Sequence, residues 1–456
     1  MKVLLVQPAT NPKVLGGDLI FKTEPLWAEY LASAVQENND VEILDLRMGG
    51  NFQQTVERFQ PNVIGMTAFA VDVNSVKILS REAKRLDSKI LTVVGGYHAS
   101  LATDDFNDGN IDIIIRGEGI FTFKEVVEAF EKGRDFKSIK GIAFSTNNHL
   151  IKTDPRPWPH LDSYKFPNRT LTAQHRKEYF DKWMKPLATI RGSYSCPFKC
   201  DFCCLWPMTN SKYLSRTPES FVSELKTIEE ENIFFSDDEA LIDIERMSKI
   251  ADMIKKEGIK KQYFFMTRST SVRKRPDIIE KWAKIGLRRV LLGLESPREK
   301  DLVDFRKDAN INDNNQAISI LKQNNIEINS MFVIAQDYDK KDFENLSAYV
   351  KTQGLEMPIF CILTPFPGTP LYEKTKDQII VDDYDIWDLL HTVLPTTKLS
   401  LKEFYVEFAK LYGGLEPLYR GILSHRETVS AEGTIENIRR VFKAMKKKDS
   451  KSLSSV

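Results

Sequence analysis

The chain opens with MKVLLVQP, in which the apolar residues Val3 to Val6 stand between polar neighbours as in a short strand buried on both faces. Runs of the same kind recur at VEILDL, NVIGMTAF, KILTVVGG and DIIIRGEG, with helical periodicity between them. This alternation predicts an α/β domain over residues 1–148, a doubly wound, Rossmann-like parallel sheet. Such sheets bind ligands at the carboxyl ends of their strands, where Gly65, Gly95, Gly96, Gly117 and Gly119 fall. Any one of these glycines can simply make a tight turn, but their shared placement favours a ligand-binding edge.

The pattern then weakens into a stretch holding Pro155, Pro157, Pro159 and Pro167, read as a linker over residues 149–184. A second series follows over residues 185–374: PLATIRGS, NIFFSDD, QYFFMTRST, RVLLGLES, INSMFVIA and PIFCILTPF. Six strands separated by helices predict a parallel sheet, open or partly closed into a barrel. Thr217, Pro218 and Glu219 supply an N-cap, a proline at the first helical position and a carboxylate facing the helix dipole, so a helix is expected from there toward Glu230. Residues 375–456 read as a small, mainly helical region with a solvated end, MKKKDSKSLSSV. Its aromatics Trp387, Phe404, Tyr405, Phe408 and Tyr412 suit an apolar pocket wall, although helix packing explains most such spacings.

Charge and cysteine content narrow the function classes. Lys plus Arg number 65 against 64 Asp plus Glu, and a net charge of +1 gives no bulk attraction to nucleic acid or an anionic membrane. The N-terminal apolar run is too short for a signal peptide or a membrane span, so a cytoplasmic protein is expected, touching a membrane at most peripherally. Of five cysteines, four fall between Cys196 and Cys204, which excludes a disulfide framework and points to metal ligation in a reducing compartment.

Cys196, Cys200 and Cys203 follow the first strand of the second domain. Three thiolates on one loop can hold three irons of a cubane and leave the fourth iron free. Structural zinc usually needs a second, distant cysteine pair, and only Cys361 lies elsewhere. Cys204 adjoins Cys203, so its side chain is expected to point away and pack.

This C-x-x-x-C-x-x-C loop, with Phe202 before its last cysteine, resembles the radical S-adenosylmethionine superfamily. The resemblance implies a partial (β/α)6 barrel and a [4Fe–4S] cluster on Cys196, Cys200 and Cys203. Its open iron would chelate S-adenosylmethionine, which is cleaved to methionine and a 5′-deoxyadenosyl radical. By the same resemblance Ser236, Asp237 and Asp238 end the second strand near the amino group of S-adenosylmethionine, Arg268 ends the third near its carboxylate, and Gly293 and Glu295 end the fourth. PFPGTPLY is similar to the family's last strand and turn.

VVGGYHAS and RGEGIFTF resemble the cobalamin-dependent branch, which places Gly95, Gly96, His98, Gly117, Glu118 and Gly119 against the macrocycle. The Asp-x-His-x-x-Gly signature of domains that give cobalt a histidine is absent, and His98 is the first histidine in the chain. It is therefore expected to hydrogen-bond or pack rather than ligate. The tail is similar to that of hopanoid methylases. Together these likenesses imply a methyltransferase acting on an unactivated carbon of a small-molecule, lipid or natural-product substrate, with an electron donor such as flavodoxin or ferredoxin. A radical cyclase or carbon–carbon coupling enzyme is the alternative, and an iron–sulfur or cobalamin-sensing module the non-enzymatic one. No residue is singled out as a catalytic acid or base.

Overall fold

The computed structural model describes residues 1–14, 21–146, 149–181 and 184–413. The N-terminal sheet has seven strands in the order Asp40–Asp45, Lys2–Gln7, Val63–Thr67, Leu91–Gly95, Ile113–Ile115, Ile142–Thr146, His149–Lys152. The first five are parallel, and successive residues of Lys2–Gln7 feed two different cores. Val3 and Leu5 pack with Val93 and Phe123, whereas Leu4 and Val6 pack with Val94 and Phe106. A strand buried on both faces needs a continuous apolar run, as the sequence has. Strand order reverses between Lys2–Gln7 and Val63–Thr67, which opens a crevice at their carboxyl ends.

The last two strands are antiparallel and carry the sheet to Lys152, past the expected boundary at residue 148. His149–Lys152 is an exposed edge strand without an apolar run, so periodicity gave it no signal.

The second domain is a six-stranded parallel sheet in chain order: Leu187–Ile190, Asn232–Phe235, Gln262–Arg268, Leu287–Glu295, Glu327–Ile334 and Met357–Ile362. Its first and last strands are edges, as in a partial barrel. Trp282, Phe235, Tyr263 and Phe265 build the core between strands and helices, while Leu187, Phe234 and Phe264 meet Phe21 in a smaller separate cluster. Thr217 caps the following helix by accepting from Ser220 N at 3.2 Å, but the helix spans only Pro218–Leu225. It ends short of Glu230 where the Thr227 hydroxyl donates to Glu224 O (2.7 Å), a side-chain bond that competes with the helical ladder.

Between residues 376 and 400 only two short turns form, Lys376–Gln378 and Tyr384–Ile386, and the Leu390 side of this segment covers the last barrel strand, with Ile362 N donating to Leu389 O at 2.6 Å. The helix Leu401–Gly413 then buries Phe404, Tyr405 and Phe408 in the barrel core, as packing rather than a pocket wall. MKKKDSKSLSSV lies outside the described residues. Among these, no helix is long and apolar enough to cross a membrane.

Buried charges join the domains. Thr189 N on the first barrel strand donates to Glu24 (2.6 Å), Arg169 donates to Glu224 (2.8 Å), and Arg176 pairs with both Glu24 and Glu230. Glu29 lies in the same cluster and accepts from Thr172 at 2.5 Å.

Candidate active site

The first barrel strand runs through Arg191–Ser195 into the cysteine loop. Asp237 accepts from Gly192 N at 2.6 Å and from the Ser193 hydroxyl at 2.7 Å, and Asp238 accepts from Ser195 N at 2.7 Å. Both carboxylates therefore tether the loop that presents the thiols. Burial, opposed by the Arg191 guanidinium, pushes the Asp238 carboxyl up to about 6. Ser236 accepts from Arg191 Nε at 3.3 Å and, with it, faces the cleft between the domains.

Cys196, Cys200 and Cys203 lie close enough to influence one another electrostatically, and Cys203 N donates to Cys200 O at 3.2 Å. Burial pushes the Cys196 thiol up to about 11 and Cys203 higher still, so ligation has to expel their protons, and it raises the Cys204 thiol to about 11 as well. Among the described residues no group of three His, Cys, Asp or Glu side chains forms a site for a single metal ion, whereas a cubane takes each thiolate on a different iron. Cys204 lines an apolar chamber beside the loop.

Arg268 reaches this loop from the end of the third strand. Its Nη1 lies 3.3 Å from Cys200 Sγ and its guanidinium sits 3.9 Å from the centre of the Phe198 ring. Its Nε and Nη2 are buried without a partner. Two orphaned donors on a planar cation, beside the thiols, fit an incoming carboxylate. Glu239, which sequence reading passed over as the fourth member of the run Ser236–Glu239, fixes this strand end by accepting from Arg268 N and the Thr267 hydroxyl, both at 2.7 Å.

Glu295 ends the fourth strand in the left-handed region, φ 62°, and forms a buried ion pair with Lys307. Gly293 leaves room for that pair, since a Cβ there would lie 2.6 Å from Glu295 Oε1 and 2.8 Å from Lys307 Nζ. The pair was invisible in sequence because its members are separated by a helix.

A cleft of about 380 Å³ lies between the glycine edge of the N-terminal sheet and the mouth of the barrel. Gly95, Gly96, Gly117, Glu118 and Gly119 line one side, and Arg191, Tyr194 and Ser236 the other. Gly96, at φ 102°, admits no side chain, because a Cβ would meet the Ala68 backbone at 2.8 Å. Gly117 and Gly119 have nothing within 4 Å of where a Cβ would stand, a cradle into which a flat ligand can lie close to backbone. The Glu118 carboxylate turns away from it, accepting from Ile120 N (2.7 Å), Phe121 N (3.0 Å) and the Tyr164 hydroxyl (3.0 Å), and so caps the helix Ile120–Glu131. His98 is also outside this cleft: its Nε2 lies 2.7 Å from Asp105, and its ring packs edge-on against Phe106 and Tyr384.

Comparison with known proteins agrees with this geometry. Residues 12–127 match the B12 binding domain model and residues 190–350 the radical SAM superfamily model. The chain is 28% identical to the hopanoid C-3 methylase of Methylococcus capsulatus, over 95% of this chain and 84% of that one. It is 24% identical to the anaerobic magnesium-protoporphyrin IX monomethyl ester cyclase of Cereibacter sphaeroides, over 88% of this chain and 68% of that one. Its fold superposes on the radical S-adenosylmethionine methyltransferase TsrM from Kitasatospora setae with a TM-score of 0.72, at 15% identity and covering 97% and 99% of the two chains. A parallel partial barrel with a three-cysteine loop defines a radical S-adenosylmethionine enzyme. With its glycine-edged sheet domain, the chain belongs to the cobalamin-dependent branch of that family, whose cofactors are a [4Fe–4S] cluster, S-adenosylmethionine and cobalamin.

Proposed function

We propose that this protein transfers a methyl group to an unactivated carbon of a small, largely apolar molecule. The observation that carries the reading is that one cleft is shared by the B12-type glycine edge and the barrel mouth, so that the two halves of the chemistry meet at Arg191, Tyr194 and Ser236. When bound, the cluster supplies the electron that opens S-adenosylmethionine, and cobalamin supplies the methyl group. Cys196, Cys200 and Cys203 hold the cluster, and Arg268 receives the carboxylate of S-adenosylmethionine on its two free donors. Asp237 and Asp238 act through the loop, holding it against the barrel. Gly96, Gly117 and Gly119 seat the macrocycle; among the described residues no histidine lines this cleft, and His98 is held by Asp105.

The methylase relative matches at higher identity and over more of both chains than the cyclase, which favours methyl transfer over ring closure. Five free cysteines suit a reducing cytoplasm, where a flavodoxin or ferredoxin would deliver the electron. Methyl-deuterated S-adenosylmethionine tests the reading with a competent substrate. Product should gain an intact trideuterated methyl, with 5′-deoxyadenosine and S-adenosylhomocysteine released in similar amounts. Deoxyadenosine without labelled product would reject methyl transfer and leave the family assignment standing.

A further inference from the structure

Phe69 and Tyr97 stack with their ring centroids 5.7 Å apart and border two cavities at once. On one side is the glycine-edged cleft. On the other is a chamber of about 350 Å³, within the size range of small-molecule sites, roughly 300–1,000 Å³. Val71 and Leu101 from the sheet domain, Phe366 after the last barrel strand, and Trp387 and Leu389 from the C-terminal segment form its other walls. Cys204 closes it on the side of the cysteine loop, so the chamber abuts both halves of the machinery.

The walls present almost no polarity. No lysine or arginine lines the chamber among the described residues. Its two titratable side chains other than tyrosine and cysteine are already engaged: His98 binds Asp105, and Asp388 accepts from Leu390 N (2.9 Å), His391 N (2.8 Å) and the His391 ring. The Trp387 indole N–H donates to Val381 O at 3.1 Å, which leaves its ring as the contact surface. Two large apolar side chains are exposed where a folded protein gains nothing from exposing them, Phe69 at 55% and Leu389 at 38%. Leu389 is moreover held at φ 68°, a conformation unusual for leucine, while its carbonyl is fixed by Ile362 N.

Resting on the methyltransferase reading, we infer that this chamber receives the methyl acceptor and that the acceptor's body is an uncharged hydrocarbon skeleton. An acceptor carrying a carboxylate, phosphate or zwitterion there would be desolvated with no cation to meet it. Phe69 and Tyr97, common to both cavities, mark the seam between the chamber that holds the acceptor's body and the cobalamin cleft that its reacting carbon must reach, and Leu389 and Trp387 are specificity-determining walls.

The test uses cobalamin- and cluster-loaded protein titrated with pyrene and with pyrene-1-carboxylate, read from the vibronic band ratio of pyrene emission. Pyrene should bind one per chain in an apolar environment, and the carboxylate at least tenfold more weakly. Leu389→Asp should weaken pyrene at least tenfold, whereas Ile380→Asp, more exposed still but outside the chamber, should not. If Leu389→Asp fails to retain its cofactors, Phe69→Ser takes its place. Equal binding of both probes, or pyrene binding indifferent to the wall substitution, would overturn the inference. Because the titration requires no turnover, binding that behaves as expected while labelled methyl transfer fails rejects the reaction and keeps the chamber; the reverse pattern rejects the chamber alone.

Discussion

Arg268→Gln tests the proposed contact between the barrel and the carboxylate of S-adenosylmethionine. In the folded protein Arg268 is 5% exposed, its guanidinium keeps one nitrogen on Cys200 Sγ, and its two further donors are buried without a hydrogen-bond partner. A carboxylate arriving there would form a bidentate, charge-assisted pair, and hydrogen bonds to charged groups contribute about 1.5–3 kcal/mol each. Glutamine retains a donor but no charge, so the expected loss is about 3 kcal/mol, or roughly a hundredfold or more in Kd at about 1.4 kcal/mol per tenfold. Arg268→Lys keeps the charge as a single point and loses the fork, so its loss should be nearer tenfold. The assay is an anaerobic titration of the reduced, reconstituted protein with S-adenosylmethionine, followed by the change in the cluster's EPR spectrum. Iron content must stay at the wild-type level, because Phe198 and Cys200 both touch Arg268. An Arg268→Gln protein with its cluster intact and its affinity within about threefold of wild type would refute the reasoning.

Replacing Cys196, Cys200 or Cys203 by Ala should abolish the iron–sulfur absorbance and iron content of reconstituted protein, while replacing Cys204, which lines the apolar chamber, by Ala should retain both; loss on Cys204→Ala with retention in any one of the three would overturn the ligand set. Burial pushes the Glu29 carboxyl up to about 7 from an ordinary 4.5, so its folded form holds the proton more tightly than the unfolded chain. The stabilisation is full below pH 4.5 and is lost as pH rises through about 7, and Glu29→Gln should flatten that slope in denaturant titrations at pH 5 and pH 8. An unchanged difference between the two pH values in the variant would assign the slope elsewhere.

Much of this protein is written locally. A strand buried on both faces has to be continuously apolar, so Val3–Val6, Val93–Val94 and Ile113–Ile115 announce themselves, and a cubane held by one loop requires thiols at the spacing of Cys196, Cys200 and Cys203. Thr217 and Pro218 start a helix by capping chemistry that extends over only a few residues. What a polar side chain does was another matter. Asp237, Asp238, Glu118 and Glu295 are acids at strand ends, and nothing in that position says whether they face a ligand or a neighbour. Their partners decide it, and for Asp237, Asp238 and Glu295 these are Gly192, Ser195 and Lys307, 45, 43 and 12 residues away. Glu118 has local partners as well as Tyr164, and its turn into the helix cap depends on a backbone bend at Gly117. The apolar chamber is assembled from Phe69, Leu101, Cys204, Phe366 and Leu389, whose separate hydrophobicity reads as ordinary core. Only the docking of sheet domain, barrel and C-terminal segment leaves their side chains facing a common space, because concavity is a property of how surfaces meet and not of any one of them.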